Sequence, residues 1–480
     1  MCLELVQSNL NMTKFSSIYI SSFLFLISIF SFLNIIYSNY FDIFFNIENY
    51  IYTLFISLIL GCLLLFFNRK NKNKITIYEK IFTVLIGYIL FPLIISIPYY
   101  FGIQNISLLN SYFEAISGFT STGFTVFENI KQLDESLIIW RSTSQWIGGI
   151  YFLFSILLLI DIFDKNLKQS FTEYLSFNYN EIFKQSLKII IVYSSLTLLI
   201  FFLFKIINLR TFDAFNLSLS IISSGGFLPV NRIDYLFVND LNKIILSFSM
   251  LLSFFSLFLS YNLIFFNKKK LNFLSEDFNL LIYLIILISF SFVFFNSSNN
   301  FPTILVAVTS SISNIGISFL DTPNNLIFIF FILVVIGGSF FSTSSGIRVI
   351  KILSLIKFSL NNLLSHTKPN QIYSNKVTLI NENTEKSDIN KYFFSIVIFI
   401  ISLSLLTLLL TLSNIEFENS FKLSILTIMN TVNSSMFELS NFDFDSLSFL
   451  TKIYLIIFMI IGRVELLTIL ILFKKFLFKN

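Results

Sequence analysis

Ten apolar stretches, each near the roughly 20 residues that a helix needs to cross a bilayer, recur at about 15–37, 51–67, 80–99, 137–163, 186–206, 241–266, 278–296, 326–347, 391–413 and 449–473. In hydrocarbon every backbone N–H and C=O must be bonded internally, which a helix achieves within one segment. The expected fold is therefore an all-α polytopic membrane protein. Only 12% of the 480 residues are charged, about half the share found in soluble domains. The first stretch follows Lys14, is too long for a signal-peptide core and has no small-residue cleavage pattern behind it, so it reads as a retained span.

Charge orients these spans. The segment after the second span carries Arg69, Lys70, Lys72, Lys74 and Lys80 against the single acid Glu79, which places it in the cytoplasm by the positive-inside rule. Alternation then puts Lys165, Lys168, Lys268, Lys269, Lys270, Arg348, Lys351, Lys357, Lys474, Lys475 and Lys479 inside. Glu128, Asp134, Glu135, Asp234, Asp240, Asp321, Glu416, Glu418, Asp443 and Asp445 fall outside. Both termini are expected to be cytoplasmic, in a multi-pass protein of the cytoplasmic (inner) membrane.

The intervals between spans 3/4, 5/6, 7/8 and 9/10 are each too long for a tight turn, and each contains an apolar half-span ending in small polar residues. The first is Phe113-Glu114-Ala115 running to Thr120-Ser121-Thr122-Gly123-Phe124-Thr125. The second runs from Thr211 to Ser223-Ser224-Gly225-Gly226-Phe227, the third from Pro302 to Ser313-Asn314-Ile315-Gly316, and the fourth from Phe421 to Asn430-Thr431-Val432-Asn433-Ser434-Ser435. A half-span of this kind can enter the membrane partway with its negative dipole end toward the centre. Glycine lets the following turn aim carbonyls at one axis, where a ring of them can replace a cation's water shell. Four copies of span, half-span, span constitute an internal repeat. They divide the chain into a two-helix extension (1–79), repeat 1 (80–165), repeat 2 (166–270), repeat 3 with a broken second helix and a cytoplasmic loop (271–390) and repeat 4 (391–480).

Span 8 is interrupted by Gly337-Gly338-Ser339-Phe340-Phe341-Ser342-Thr343-Ser344-Ser345-Gly346. Irregular backbone at membrane depth survives only where protein or water satisfies it, so this stretch is either a gate beneath the polar turns or a small-residue packing face. Arg463 lies inside span 10, where an arginine costs several kcal/mol unless it meets a wet cavity or an acceptor. Glu465 points to another side of the helix, so Arg463 is expected to reach loop carbonyls or the pathway. Arg141, near the outer start of span 4, is expected to snorkel to the headgroups.

Taken together, Phe113-Glu114-Ala115 to Thr122-Gly123, Trp140-Arg141 with Gln145-Trp146-Ile147-Gly148-Gly149, Ser223 to Phe227, Gly337-Gly338-Ser339 continuing to Gly346-Ile347-Arg348, and Gly462-Arg463-Val464-Glu465 resemble the membrane subunit of Trk-type potassium uptake systems, within the Trk/Ktr/HKT superfamily. The resemblance implies two extra N-terminal helices, then four helix–pore loop–helix repeats around one central pore. It implies potassium uptake through a four-loop filter at Thr122, Gly123, Ser224, Gly225, Ile315, Gly316, Ser435 and Met436, the last standing where the family has glycine. A gate is implied at Gly337, Gly338, Ser339, Gly346 and Arg463. A homodimer is implied, as is a cytosolic nucleotide-binding regulatory subunit docking on the basic inner ends and the 361–391 loop.

Other classes fit less well. A proton- or sodium-coupled symporter wants an acid at mid-membrane, and Asp161 sits at the inner end of span 4. A membrane-embedded enzyme wants clustered His, Asp or Glu at one face, whereas His366 is the only histidine and lies in a polar stretch. Cys2 and Cys62 offer neither a disulfide framework nor a metal cluster, and no Gly-rich phosphate loop is present. The chain is expected to bind no cofactor and no nucleic acid, with potassium as substrate and lipid around its phenylalanine-rich spans.

Overall fold

The computed structural model describes residues 2–43, 46–67, 77–163, 182–255, 257, 272–295, 301–339, 341–367 and 386–464. Two long helices come first, α1 (Cys2–Tyr40) and α2 (Ile47–Phe67), packed on each other. A pattern of long helix, 12-residue helix and return helix then runs four times. It comprises α3 (Ile77–Gly102), α4 (Leu108–Phe119) and α5 (Glu135–Phe163), then α6 (Ile182–Ile206), α7 (Thr211–Ile222) and α8 (Asp240–Phe254). The third copy is α9 (Asn272–Phe295), α10 (Phe301–Ile312) and α11 (Ile327–Val335) continuing as α12 (Val349–Thr367); the fourth is α13 (Lys386–Leu412), α14 (Phe417–Ile428) and α15 (Phe449–Val464). Among the described residues, six helices are long and apolar enough to cross a membrane.

Burial separates two kinds of helix. The short helices α4, α7, α10 and α14 are buried along most of their length. The long helices turn Phe32, Phe55, Ile59, Leu93, Phe202, Ile286, Ile401 and Leu408 outward, as an apolar surface facing lipid requires. The short helices, together with the long helix α5, therefore form the interior of the molecule, and the other long helices form its wall.

The seating of short helix against return helix is set by glycine. A Cβ on Gly148 would overlap the carbonyl oxygen of Phe119, the last residue of α4, and one on Gly462 would overlap that of Ile428, the last residue of α14. Neither contact is to a movable side chain, so the return helix itself must shift if the glycine is replaced. Gly462→Ala is expected to lower thermal stability and transport together; normal melting with normal transport in that variant would show that the close approach is dispensable.

The interruption of span 8 is real. Helix α11 ends at Val335, and the backbone passes through Ile336–Gly337 (β1) and Ile347–Arg348 (β2), which pair in parallel as Ile336 with Ile347 and Gly337 with Arg348. The crossing is tight: Gly346 has φ +86°, and a Cβ there would lie 2.7 Å from the Gly337 backbone. Lys165, Lys168, Lys268, Lys269, Lys270, Lys474, Lys475, Lys479 and Glu465, and most of the 361–391 loop, lie outside the described residues, as does the side chain of Asp161.

Candidate functional site

Each short helix ends in the same hydrogen-bonded turn. After α4, Ser121 takes φ +55° and Thr122 N–H donates back to the Ser117 carbonyl at 2.9 Å. The matching pairs are Ser224 (φ +56°) with Gly225 N–H to Ser220 O at 2.9 Å, Asn314 (φ +57°) with Ile315 N–H to Ser310 O at 3.0 Å, and Asn430 (φ +48°) with Thr431 N–H to Leu426 O at 2.9 Å. A left-handed residue followed by a bond reaching five residues back is the Schellman ending of a helix. It reverses the chain at the negative end of the helix dipole and fixes the register of all four turns independently of residue type.

By that register Thr122, Gly225, Ile315 and Thr431 are equivalent, and so are Gly123, Gly226, Gly316 and Val432. The three glycines have φ of +81°, +73° and +81°. Two sequence-based assignments therefore move. In the second turn the glycine-level residue is Gly226, because Ser224 and Gly225 are spent as the helix cap and the residue after it. In the fourth turn Met436 is not at the glycine level. It lies in a 3-10 turn, Ser435–Phe437, buried in the second hydrophobic cluster with Ser311 Oγ 3.6 Å from its sulfur. Ser435 likewise bonds Ser318 Oγ (2.8 Å) and the Phe319 carbonyl (3.0 Å) rather than facing the glycines.

The four turns meet at one place. A Cβ built on Gly123 would lie 2.5 Å from the Gly225 carbonyl oxygen, and one on Gly226 would lie 2.5 Å from the Ile315 carbonyl oxygen, so each glycine abuts a carbonyl of the next turn. At Gly316 the oxygen met at 2.5 Å belongs to Val432 rather than Thr431. The Val432 side chain lies within 2.8–3.1 Å of the Cβ direction of all three glycines. One side of this junction opens into a cavity of about 400 Å³, lined by Gly123, Gly226, Val432, Thr125, Asn433 and Asp443 among others.

Side chains lock the turns together. Gln145 Nε2 donates to the Gly225 carbonyl at 2.6 Å, and its Oε1 accepts from Phe227 N–H at 3.3 Å. Asn430 Nδ2 donates to Thr122 Oγ1 at 3.0 Å, and Asn314 Nδ2 to Thr431 Oγ1 at 3.2 Å. Arg141 does not snorkel. Its side chain is buried, its Nε donates to Glu114 Oε1 at 2.9 Å and its Nη2 to Thr125 Oγ1 at 3.1 Å, with the guanidinium 4.1 Å over the Phe227 ring. The reason is the partner: Glu114, fully buried on α4, also accepts from Thr125 Oγ1 (3.1 Å) and Val126 N–H (3.0 Å). The pair ties helix α4 to the limb leaving the first turn, and a buried charge so matched need not reach water.

On the side of the turns away from the cavity lies the 338–346 segment. Thr343 Oγ1 donates to the Ile222 carbonyl at 2.8 Å and sits 3.2 Å from Ser224 Oγ, while Ser345 Oγ is 3.5 Å from Asn430 Oδ1. The segment is pinned from within by Arg348, whose Nη1 donates to the carbonyls of Ser339 and Ser344, both at 2.9 Å. Arg348 is thus buried rather than part of a basic docking face. Gly338 N–H donates to Ser344 Oγ at 3.1 Å and Ser339 N–H to the Phe254 carbonyl at 3.1 Å. Arg463 reaches loop acceptors as its position suggests: Nη1 to Ser345 Oγ at 2.6 Å and Nη2 to the Ser223 carbonyl at 3.4 Å, with Phe152 stacked 4.1 Å below.

Comparison with known proteins finds similar chains among cation transporters. The family model for TrkH, described as a cation transport protein, matches residues 46–281. The chain is 26% identical to an uncharacterized cation transporter of Methanocaldococcus jannaschii, over 86% of this chain and 85% of that one. It is 24% identical to the Trk system potassium uptake protein TrkH of Escherichia coli, over 88% and 90% respectively. The crystal structure of the potassium transporter TrkH from Vibrio parahaemolyticus superposes with a TM-score of 0.77 at 21% identity, covering 96% of this chain and 98% of that one, which establishes the fold. The match of the family model over residues 46–281, the relatives aligned along most of their length and the shared fold together make this chain similar to the TrkH cation transport proteins.

Proposed function

We propose that this chain takes up potassium through a single pathway running between the four polar turns, with the 338–346 segment as its gate. The observation that carries the reading is the convergence of Gly123, Gly226, Gly316 and Val432 from four repeats, each at the end of a buried helix aimed there by its negative pole. Gly225 and Ile315 supply carbonyls one step deeper in the second and third turns, Thr122 stands at the same level in the first, and the fourth turn presents the carbonyl of Val432 instead. A potassium ion entering from the cavity would exchange water for such carbonyls. The name of the Escherichia coli relative, a potassium uptake protein, supports potassium as the ion.

The coupled-symporter reading gains nothing from the buried acids among the described residues. Glu114 is committed to Arg141, and Asp213 lies in the first turn of α7. Cytoplasmic termini, the inner membrane, a homodimer and a cytosolic nucleotide-binding regulatory subunit belong to the same proposal, carried by the family resemblance.

Growth at micromolar external potassium of a host stripped of its own uptake systems tests the function. Rescue by this chain supports it, and failure to rescue despite membrane insertion rejects it. The gate has its own test. Shortening the stretch between Gly337 and Gly346 removes the Thr343 and Ser345 contacts to the turns, so potassium flux into vesicles should rise in the absence of any cytosolic partner. A flux unchanged or lowered in a properly folded variant would rule the segment out as an obstruction.

A further inference from the structure

Val432 stands out because it puts a branched apolar side chain where the other three turns have none. Its Cγ2 and Cβ lie 2.8 and 2.9 Å from the Cβ direction of Gly123, its Cγ1 and Cβ 3.0 and 3.1 Å from that of Gly226, and its Cγ1 2.8 Å from that of Gly316. The space that three glycines leave open is therefore the space that this isopropyl group fills. The residue is buried, 9% exposed, although it lines the floor of the outer cavity. Val432 is not among the residues with positive φ, so its limb also departs in backbone: the oxygen presented against Gly316 is its own carbonyl, not that of Thr431.

We propose that Val432 is a hydrophobic constriction set inside the cation filter, which limits how fast cations cross it. The inference rests on the potassium-uptake reading and deepens it. A cation at the glycine level needs oxygen ligands in place of water, and here one of the four directions offers methyl groups instead. An apolar narrowing in a pore favours loss of water from that level, which raises the barrier to an ion. β-Branching restricts the side chain to few χ1 positions, and the glycines of the other three turns crowd it within the ring. The three glycines and the valine are thus one unit: a fourth glycine would leave an open ring, and any second side chain would collide with the valine.

The test is cation flux into proteoliposomes, measured with rubidium as tracer and with potassium and sodium as competitors, for the unaltered chain, Val432→Gly, Val432→Ala and Val432→Leu. Val432→Gly should raise the maximal rate by roughly tenfold or more, equivalent to a barrier lowered by about 1.4 kcal/mol. Val432→Ala should fall between the two, and Val432→Leu should bring flux to background. Melting temperature and elution volume establish that each variant is folded, and the alanine variant serves if the glycine variant is not. A folded Val432→Gly or Val432→Ala protein with flux equal to or below that of the unaltered chain overturns the constriction. Failure of the potassium reading looks different: the rates would still rise as the side chain at this position shrinks from valine through alanine to glycine, but sodium would compete better than potassium throughout.

Discussion

Replacing Gly123 by alanine is expected to cut potassium uptake by roughly 10- to 100-fold, the equivalent of about 1.4–2.7 kcal/mol in barrier. Two independent causes act at this position. Gly123 has φ +81°, and an L-residue in left-handed backbone is strained by roughly 1–2 kcal/mol. Its new methyl group would also lie 2.5 Å from the Gly225 carbonyl oxygen and 2.8 Å from Val432 Cγ2. The first contact is with backbone that would have to move out of the ring, so the loss should fall on the pathway rather than on folding. Combining Gly123→Ala with Val432→Gly removes the second contact only and should not restore uptake. Gly123→Ser should additionally lower the preference for potassium over sodium, since a displaced carbonyl leaves the ring uneven. Unchanged flux and selectivity in variants that reach the membrane would mean that the first turn does not contact the ion.

The second large effect concerns stability. Removing one partner of a buried, hydrogen-bonded ion pair leaves the other charge uncompensated and typically costs about 3–5 kcal/mol. Arg141→Ala strands Glu114 with only Thr125 Oγ1 and Val126 N–H as donors, and Glu114→Ala strands Arg141 with Thr125 and the Phe227 ring. Either variant should unfold at markedly lower temperature and lose transport, because Glu114→Ala releases the limb after the first turn from α4 and Arg141→Ala releases both from α5. Joint replacement by methionine leaves no buried charge, so Glu114→Met with Arg141→Met should recover much of the stability lost by either single change. Thermal unfolding of purified protein in detergent measures this. Single variants as stable as the unaltered chain, or a double variant worse than both, would show that the pair does not act as one unit.

These two sites differ in how far the sequence discloses them. Gly123 is legible through recurrence: an apolar half-helix followed by Thr120-Ser121-Thr122-Gly123 is by itself most often an ordinary loop, and its repetition in four intervals is what singles it out. The second turn is harder: Ser223-Ser224-Gly225-Gly226 allows two registers, and only the bond from Gly225 N–H to Ser220 O selects one. The fourth turn has no glycine to read, and matching it to a glycine pattern lands on Met436, four residues too far. A different signal was present. Ser121, Ser224, Asn314 and Asn430 are the left-handed cap residues, and each stands two residues before Gly123, Gly226, Gly316 and Val432. Asparagine is among the few residues besides glycine that visit this conformation readily, so Asn430 marks the turn even where the glycine is missing.

The long-range partners leave no such mark. Nothing in the spacing of Glu114 and Arg141, 27 positions apart, shows that they pair, so a lone arginine near a membrane edge reads as one that reaches for water. Gln145 likewise meets Gly225 across 80 positions. By contrast, the break in span 8 is written locally, because Gly337-Gly338 and Gly346 cannot sustain a helix there against the packing of β1 on β2. Its contact with the turns, through Thr343 and Ser345, emerges only when the third repeat folds against the second and fourth.

A single pathway for potassium between the four turns is tested most directly by anomalous scattering from crystals of the protein grown with thallium(I), a potassium substitute with a strong signal. A peak is expected among the carbonyls of Thr122, Gly225, Ile315 and Val432, on the inner side of the Val432 side chain, and it should weaken as potassium is added in competition. A map with no peak among these turns, or with its strongest peak elsewhere in the membrane region, would contradict the pathway.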